Sequence, residues 1–155
     1  MGIKSFQGKR TTTNNKTSEL ILVSDYMTKN LITFQEHQPI EDVIDILIKN
    51  KISGGPVVNG KNELVGIISE GDCMKQISES RYYNLPIDKN NTVGKAMAKN
   101  VETIDGNMNI FDAANKFLDS KRRRFPILEK GKLIGQISQK DVLKAAMELK
   151  GNTWK

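Results

Sequence analysis

The sequence is poor in the residues that build disulfide frameworks and metal clusters. Its 155 residues include one cysteine, Cys73, which cannot form a disulfide within the chain and suits a reducing compartment. The one histidine, His37, has no cysteine or second histidine at ligand spacing, so we expect it at the surface. These absences argue against a disulfide-rich secreted domain and against a metal site.

Long apolar segments are also missing. No run approaches the ~18 residues that a transmembrane helix needs, and no secretory h-region is present. The Met-Gly start resembles a myristoylation signal, but Phe6 stands where that signal requires serine or threonine. We therefore expect a cytoplasmic protein that does not insert into a membrane.

The net charge of +6 is unevenly distributed. Residues 23–75 contain five basic and eight acidic side chains, a net of −3, whereas residues 92–144 contain eleven basic and six acidic ones, a net of +5. A basic tail over residues 1–18 and the run Arg122 to Arg124 make nucleic-acid binding the alternative function. No helix-turn-helix, RNP-like or zinc motif supports that alternative.

One sequence unit occurs twice. At a shift of 70 residues, MTKNLIT (27–33) aligns with MAKNVET (97–103). After a one-residue deletion, LVGIISEGD (64–72) aligns with LIGQISQKD (133–141), with the same glycine, serine and aspartate. We infer an internal duplication.

Each unit is predicted to contain two amphipathic helices and a β-hairpin, which makes the fold class α/β (α+β). The turns are expected at Asn59-Gly60 and Lys130-Gly131, each between two β-rich runs. Because ~50 residues cannot bury such helices alone, we expect the two units to pack together. The side chains expected in the apolar helix faces and the core are Ile40, Val43, Ile44, Leu47, Ile48, Met74, Ile77, Ile110, Ala113, Ala114, Phe117, Leu118, Val142, Leu143, Ala146 and Met147, with Met27, Cys73, Met97 and Met108.

The predicted organisation has five parts. A disordered basic tail covers residues 1–18, and the first repeat covers 19–77. A connection over 78–91 leads to the second repeat over 92–148, and a C-terminal tail covers 149–155.

The segments GIISEGD and GQISQKD carry the residues suited to chemistry. Each serine lies where a strand becomes a helix, beside free amide groups that suit a phosphate. Each aspartate lies in the first helical turn, where a carboxylate can accept two ribose hydroxyls, and the strand glycine lets a flat base approach the backbone. The same Ser-x-x-Asp pattern is also a capping box, which stabilises a helix without any ligand.

The order MTKNLIT, amphipathic helix, GGPVV and GIISEGD, followed by its second copy, resembles a CBS-domain pair (Bateman module) over residues 23–147. The resemblance implies two tandem β-α-β-β-α repeats packed with pseudo-twofold symmetry. It also implies two clefts for AMP, ADP, ATP or S-adenosylmethionine, and association into a homodimer.

The resemblance places the phosphate-side hydroxyls at Ser69 and Ser138 and the ribose-binding carboxylates at Asp72 and Asp141. The run Lys121 to Arg124 and Lys140 favour the second cleft for a phosphorylated ligand, although a solvated helix end is the alternative for the arginines. The stronger site is predicted to comprise Val101, Thr103, Arg123, Arg124, Phe125, Pro126, Ser138, Lys140 and Asp141. The weaker site is predicted to comprise Ile32, Thr33, Gly55, Pro56, Ser69 and Asp72.

The sequence contains no triad, metal cluster or paired acid–base set, so we expect a regulatory protein and not an enzyme. The expected ligand is an adenine nucleotide, which magnesium can accompany, and the expected partner is an unidentified regulated protein.

Overall fold

The computed structural model describes residues 21–82 and 91–153. Its elements, in chain order, are α1 Val23–Tyr26, α2 Ile40–Asn50, β1 Gly54–Val58, β2 Leu64–Ser69, α3 Glu70–Tyr82, α4 Val93–Ala96, β3 Ile104–Asp105, α5 Ile110–Ser120, β4 Arg124–Glu129, β5 Lys132–Ser138 and α6 Gln139–Thr153. The predicted tail over 1–18 lies outside the described residues. Helix α3 extends into the segment predicted as a connection, and α6 extends into the predicted C-terminal tail.

The described chain forms two compact units that cut across the sequence repeats. Unit 1 contains residues 21–29, 104–127 and 134–153, and unit 2 contains 30–82, 91–103 and 128–133. The opening segment of the first repeat therefore packs with the second repeat. The opening segment of the second repeat packs with the first.

Unit 1 is built on the sheet β3-β4-β5 and on helices α5 and α6. The opening segment is held by a reciprocal pair of backbone bonds, since Thr28 N–H donates to the Gln136 carbonyl at 2.8 Å and Gln136 N–H donates to the Thr28 carbonyl at 3.0 Å. The core of this unit consists of Val23, Ile104, Ile110, Ala113, Phe117, Phe125, Ile127, Ile137 and Ala145. Each large side chain in it contributes about 1.5–3 kcal/mol through burial.

Unit 2 repeats this plan with the antiparallel hairpin β1-β2. Phe34 bonds to β1 from both sides, because its N–H donates to the Pro56 carbonyl and its carbonyl accepts from Val58 N–H, each at 2.9 Å. Ile67 and Ala98 form the reciprocal bridge that corresponds to Thr28 and Gln136. The core consists of Phe34, Ile40, Val43, Leu47, Val57, Ile68, Cys73, Val93 and Met97.

The two cores differ in residue size at two pairs of equivalent positions. The 70-residue shift aligns Phe34 with Ile104 and Gly55 with Phe125. In unit 2 the Phe34 ring occupies the space next to Gly55, where a Cβ atom would lie 2.9 Å from it. In unit 1 the Phe125 ring is fully buried, 4.8 Å from the ring of Phe117. Each unit thus keeps one aromatic ring at this place, which conserves core volume across the duplication.

Both predicted hairpins are present, with different turns. Lys130 and Gly131 both have positive φ, 52° and 80°, as the tight type I′ turn requires. Asn59-Gly60 does not form that turn, because the connection extends to Glu63 and the positive φ, 61°, falls on Asn62. The extra residue of the first repeat accounts for the wider turn.

Some side chains predicted to be core are exposed, and these expectations were wrong. Met74 is 63% exposed and Met147 64%, whereas Met97 is buried and Met27 and Met108 pack at the edge of the unit 1 core. The other exposed members of the predicted stripes are Ile48, Ile77, Leu118 and Leu143. The cause is that two neighbouring helices leave an open apolar groove in each unit.

Groove one lies between α2 and α3 of unit 2 and is lined by Ile44, Leu47, Ile48, Glu70, Cys73, Met74 and Ile77. Groove two lies between α5 and α6 of unit 1 and is lined by Ala114, Phe117, Leu118, Gln139, Val142 and Leu143. Both have a volume of about 300 Å³, so the duplication has kept their size.

Candidate functional site

In unit 2, the corner between β2 and α3 is closed by Ser69 and Asp72. Ser69 N–H donates to Asp72 Oδ2 at 2.9 Å, and the Ser69 hydroxyl donates to the same oxygen at 3.0 Å. Asp72 N–H returns a longer bond of 3.4 Å to Ser69 Oγ. This is the capping box that the sequence allowed, and it stabilises the start of α3.

The equivalent corner of unit 1 differs in its hydroxyl. Ser138 N–H donates to Asp141 Oδ2 at 2.9 Å and Asp141 N–H donates to Ser138 Oγ at 3.2 Å. Within the described ranges, no acceptor receives the hydroxyl proton of Ser138, and no donor reaches Oδ1 of either aspartate. Each corner thus offers a carboxylate oxygen to a ligand, and unit 1 also offers a hydroxyl donor.

The first helical amides are less available than the sequence suggested. Glu70 N–H donates to the Ser53 carbonyl at 2.9 Å, and Gln139 N–H donates to the Arg123 carbonyl at 3.3 Å. The third amide of each helix is bonded to the capping serine. The expectation of several free amides is therefore wrong, and a phosphate would find chiefly the second amide, that of Gly71 or Lys140.

The strand glycines serve a different purpose from the one predicted. A Cβ atom at Gly66 would lie 2.8 Å from the Ala98 carbonyl oxygen and 2.5 Å from Met97 Sδ. A Cβ atom at Gly135 would lie 2.8 Å from the Thr28 carbonyl oxygen and 2.6 Å from Met27 Sδ. The close approach that requires glycine is made by the chain itself, so the prediction of an adenine base at these glycines is corrected.

All residues of the predicted weaker site lie in unit 2. Gly55 is covered by the Ile32 carbonyl, since a Cβ atom there would lie 2.8 Å from that oxygen. Thr33 is exposed, and Pro56 is buried and accepts a backbone bond from Phe34 N–H. Gly54 in turn lies against Ser69, with its virtual Cβ atom 3.0 Å from Ser69 Cα. Ile32, Gly55 and Ser69 are therefore linked by consecutive contacts.

Most residues of the predicted stronger site lie in unit 1. The Arg122 and Arg123 carbonyls accept from the side chain and the backbone of Gln139, which places this loop at the start of α6. The side chains of Arg123 and Lys140 are exposed and that of Arg124 is half-buried. The backbone of Arg123 thus lies next to the start of α6. That the Arg123 side chain faces the Ser138 corner stays a prediction.

Three members of this predicted site have different positions from the rest. The Phe125 ring is fully buried, and Lys116 Nζ lies 5.6 Å from its centroid. Only the backbone of Phe125 is therefore available to contact a ligand. Val101 and Thr103, both half-buried, belong to unit 2 and not to unit 1. Their participation stays a prediction.

The isolated reactive residues occupy the environments that were expected. Cys73 is buried, and His37 is exposed. Burial raises the pKa of the Cys73 thiol, and the carboxylates of Asp72 and Glu70 raise it further, so the thiol stays protonated at neutral pH.

Residues 21–82 and 91–153 contain no group of three or more histidine, cysteine, aspartate or glutamate side chains that could hold a metal ion. No helix in these ranges is long and apolar enough to cross a bilayer.

Sequence reasoning missed two features of the site. The carbonyls of Ser53 and Arg123 bond the first helical amides, and a backbone acceptor leaves no signal in the sequence. The exposed grooves were missed because their apolar side chains follow the same helical spacing as core residues. Large apolar side chains at the equivalent positions Ile48 and Leu118, each on the edge of a helical stripe, were the one sequence signal for the grooves.

A family model described as CBS domain matches residues 23–79 and again residues 93–148. The chain belongs to the CBS domain family. The predicted resemblance, the duplication and the α+β class are confirmed. CBS-domain pairs are regulatory modules, and some of them are parts of enzymes.

The chain is similar to other CBS pairs of known structure. The crystal structure of CBSX2 in complex with AMP matches with a TM-score of 0.73 and 28% identity, over 84% of this chain and 98% of that one. The CBS pair of protein MJ0100, in complex with 5-methylthioadenosine and S-adenosyl-L-methionine, matches with a TM-score of 0.66 and 25% identity, over 81% and 98% of the two chains. Adenine-containing ligands therefore occur in similar CBS pairs.

Among the relatives, the uncharacterized protein MJ1426 of Methanocaldococcus jannaschii is 32% identical, over 84% of this chain and 94% of its own length. The chain spans less of others, namely 44% of MJ1225 from the same organism and 66% of the chloroplastic CBSX2 of Arabidopsis thaliana. It spans only 23% of the inosine-5'-monophosphate dehydrogenase of Aquifex aeolicus, at 31% identity. A match to so small a part of an enzyme does not transfer the enzyme's activity.

Proposed function

We propose that this chain is a regulatory CBS pair that binds an adenine nucleotide and acts on a partner protein, without catalysis of its own. The observation that carries the proposal is the pair of corners at Ser69/Asp72 and Ser138/Asp141. Each aspartate uses Oδ2 for the cap and leaves Oδ1 without a donor among the described residues. A carboxylate oxygen in this state suits the hydroxyls of a ribose. The AMP-bound structure of CBSX2 supports this choice of ligand class.

The stronger site is proposed at Ser138 and Asp141. The hydroxyl proton of Ser138 is available to a phosphate oxygen, whereas that of Ser69 is donated to Asp72. Arg123 and Lys140 are exposed, and their equivalents in unit 2 are Ser53 and Gly71. The Arg123 carbonyl bonds to the first amide of α6, and we propose that both cationic side chains reach a phosphate at this corner. Charged hydrogen bonds to phosphate contribute about 1.5–3 kcal/mol each, so the difference favours phosphorylated ligands at unit 1.

Magnesium, if it takes part, would arrive with the nucleotide phosphates. The described residues hold no cluster of three or more metal-binding side chains. The location is proposed to be cytoplasmic because the single cysteine suits a reducing compartment. Its relatives include chloroplastic proteins.

A panel of ligands tests the proposed function. AMP, ADP, ATP, NAD and S-adenosylmethionine, each at 1 mM, are compared by thermal unfolding. A ligand present at 100 times its Kd stabilises the folded state by about 2.7 kcal/mol, which corresponds to a Tm rise of roughly 5–10 °C. Guanosine monophosphate serves as the control. If no adenine compound shifts Tm or gives heat in calorimetry, the corners are helix caps alone.

Nucleic-acid binding is the second candidate, because three consecutive basic residues, Lys121, Arg122 and Arg123, are exposed. It predicts binding of DNA or RNA that falls steeply with salt and survives replacement of Asp141 by alanine. Binding of an adenine nucleotide that is lost in the same variant favours the first candidate.

We also propose that the CBS pair forms a homodimer through its apolar grooves. Leu118 is 81% exposed and Ile48 71% exposed, and both are large apolar side chains at equivalent positions of the duplicated helices. Neighbouring exposed apolar side chains in two grooves are unusual for a monomer and typical of an interaction site. A second copy of this chain can cover a groove, because it presents an apolar groove of the same size, about 300 Å³.

Replacing Leu118 by aspartate is expected to abolish this dimer. A carboxylate placed in an apolar interface loses its hydration without gaining a partner, which weakens association by at least about a hundredfold. Sedimentation velocity measures the change at protein concentrations of about 20–200 μM, the range in which a weak dimer dissociates. Asn115→Asp is the matched control, because it adds the same charge to an exposed residue of α5 that does not line groove two. A monomeric wild type, or a dimer that persists in the Leu118 variant, contradicts this interface.

A further inference from the structure

The loop between β1 and β2 begins with Asn59 and Gly60, the one Asn-Gly pair in the sequence. Asparagine before glycine is prone to deamidation, because glycine has no side chain to shield its backbone nitrogen. That nitrogen bonds to the side-chain amide carbon of the asparagine, the bond from this carbon to the amide nitrogen breaks, and ammonia leaves with the displaced proton. Water then opens the cyclic imide to aspartate or isoaspartate. Gly60 is exposed, so its surroundings leave room for this reaction.

The structure holds the Asn59 side chain with three hydrogen bonds. Its Oδ1 accepts from Lys61 N–H at 2.9 Å and from Glu63 N–H at 3.0 Å. Its Nδ2, the nitrogen that deamidation removes, donates to Glu63 Oε1 at 2.9 Å. The carboxamide has to leave these partners before its carbon can close a ring on the Gly60 nitrogen.

The rest of the loop is anchored to the segment 128–133, which belongs to the same unit 2. Lys132 Nζ donates to the Lys61 carbonyl at 2.8 Å. Asn62 Nδ2 donates to the Leu133 carbonyl at 2.9 Å, and Leu133 N–H donates to the Asn62 carbonyl at 3.1 Å. Opening of the loop breaks several of these bonds together, which keeps the open form rare.

We propose that Asn59 is a latent deamidation site, which the fold protects and which Glu63 controls. In the folded protein, the reaction is limited to the rare openings of the loop. The product opposes reclosure, because aspartate at position 59 places a carboxylate oxygen where Nδ2 now lies, 2.9 Å from Glu63 Oε1. Two carboxylates at this separation repel each other. Deamidation would therefore loosen the loop permanently.

Peptide mapping by mass spectrometry tests the protection. The full-length protein and a synthetic peptide of residues 55–65 are kept at neutral pH, and conversion of Asn59 from amide to acid is followed with time. We expect the folded protein to react at least about tenfold more slowly than the peptide, because three side-chain hydrogen bonds have to break first. A folded protein that reacts as fast as the peptide, or faster, would overturn the proposal.

Two variants test the role of Glu63. Glu63→Leu removes the acceptor for Asn59 Nδ2, whereas Glu63→Gln keeps a side-chain oxygen and is the matched control. We expect the reaction at Asn59 to be about two- to tenfold faster in Glu63→Leu and to stay within about twofold of the wild type in Glu63→Gln. In denaturant, all three proteins are expected to react at the same rate, because the protection belongs to the fold.

Equal rates in the folded wild type and the folded Glu63→Leu variant would show that Glu63 does not control the site. A faster reaction at every asparagine of the Glu63→Leu variant would also contradict this role, because it would indicate general unfolding. Acceleration confined to Asn59, with rescue in Glu63→Gln, supports the proposal.

Discussion

Replacing Asp141 by asparagine is expected to weaken AMP and ATP binding by about ten- to a hundredfold while leaving the fold intact. The asparagine side-chain oxygen can still accept from Ser138 N–H, the bond that Asp141 Oδ2 makes at 2.9 Å. Its amide nitrogen, however, replaces the oxygen that would accept the ribose hydroxyls. The loss is therefore one or two charged hydrogen bonds to the ligand, each of about 1.5–3 kcal/mol. Isothermal titration calorimetry measures the change.

The choice of asparagine follows from the double role of the carboxylate. Alanine would also remove the cap, which costs about 0.5–2 kcal/mol and would confuse loss of stability with loss of binding. The Tm of the ligand-free asparagine variant is the internal check, and it is expected to lie within about 2 °C of the wild type.

Asp72→Asn is the matched control for the ranking of the two corners. Asp72 also accepts from the Ser69 hydroxyl, which the variant can retain, and no arginine is present in the loop before β1. We expect its nucleotide affinity to fall by less than about threefold. If Asp72→Asn alone abolished binding, the ranking would be reversed. If neither variant changed the affinity, neither aspartate would be a ligand.

The fold was predictable because the duplication provides two independent copies of each pattern. The hairpins and the helices that follow Ser69 and Ser138 were expected from apolar periodicity and turn residues, and they are present. What could not be predicted is the exchange of opening segments between units. Thr28 and Gln136 are 108 positions apart, and nothing in a short segment specifies which of two similar sheets it will join.

The candidate site was predictable in its residue types but not in its detailed contacts. A strand glycine signals that something approaches the backbone closely, and the sequence cannot say whether that is a ligand or the chain. At Gly66 and Gly135 it is the chain. Likewise, helical spacing at Ile48 and Leu118 indicates an apolar face without saying whether the same molecule covers it.

Alanine at Gly66 or Gly135 is expected to be strongly destabilising. The added methyl group would lie 2.8 Å from a backbone carbonyl oxygen, of Ala98 or Thr28, and that oxygen is held by its own hydrogen bond. A methionine side chain could move aside, but the backbone could do so only by breaking the reciprocal bridge between Ile67 and Ala98 or its twin. Overpacking of this kind costs about 2–3 kcal/mol, which lowers Tm by roughly 5–10 °C.

Gly71→Ala separates this steric effect from the general effect of replacing glycine. At Gly71 the nearest atom to a Cβ would be Ser69 Oγ at 3.7 Å, an ordinary contact, and the residue lies in the first turn of α3. Alanine there is expected to be neutral or to stabilise by up to about 1 kcal/mol, because it favours helix more than glycine does. Urea unfolding of the three variants measures the differences. A Gly66→Ala protein as stable as the Gly71→Ala protein would mean that the opening segment does not pack on β2 as described. The exchange of opening segments between the two units would then be the first feature to abandon, because the opening segments approach the strands most closely at Gly66 and Gly135.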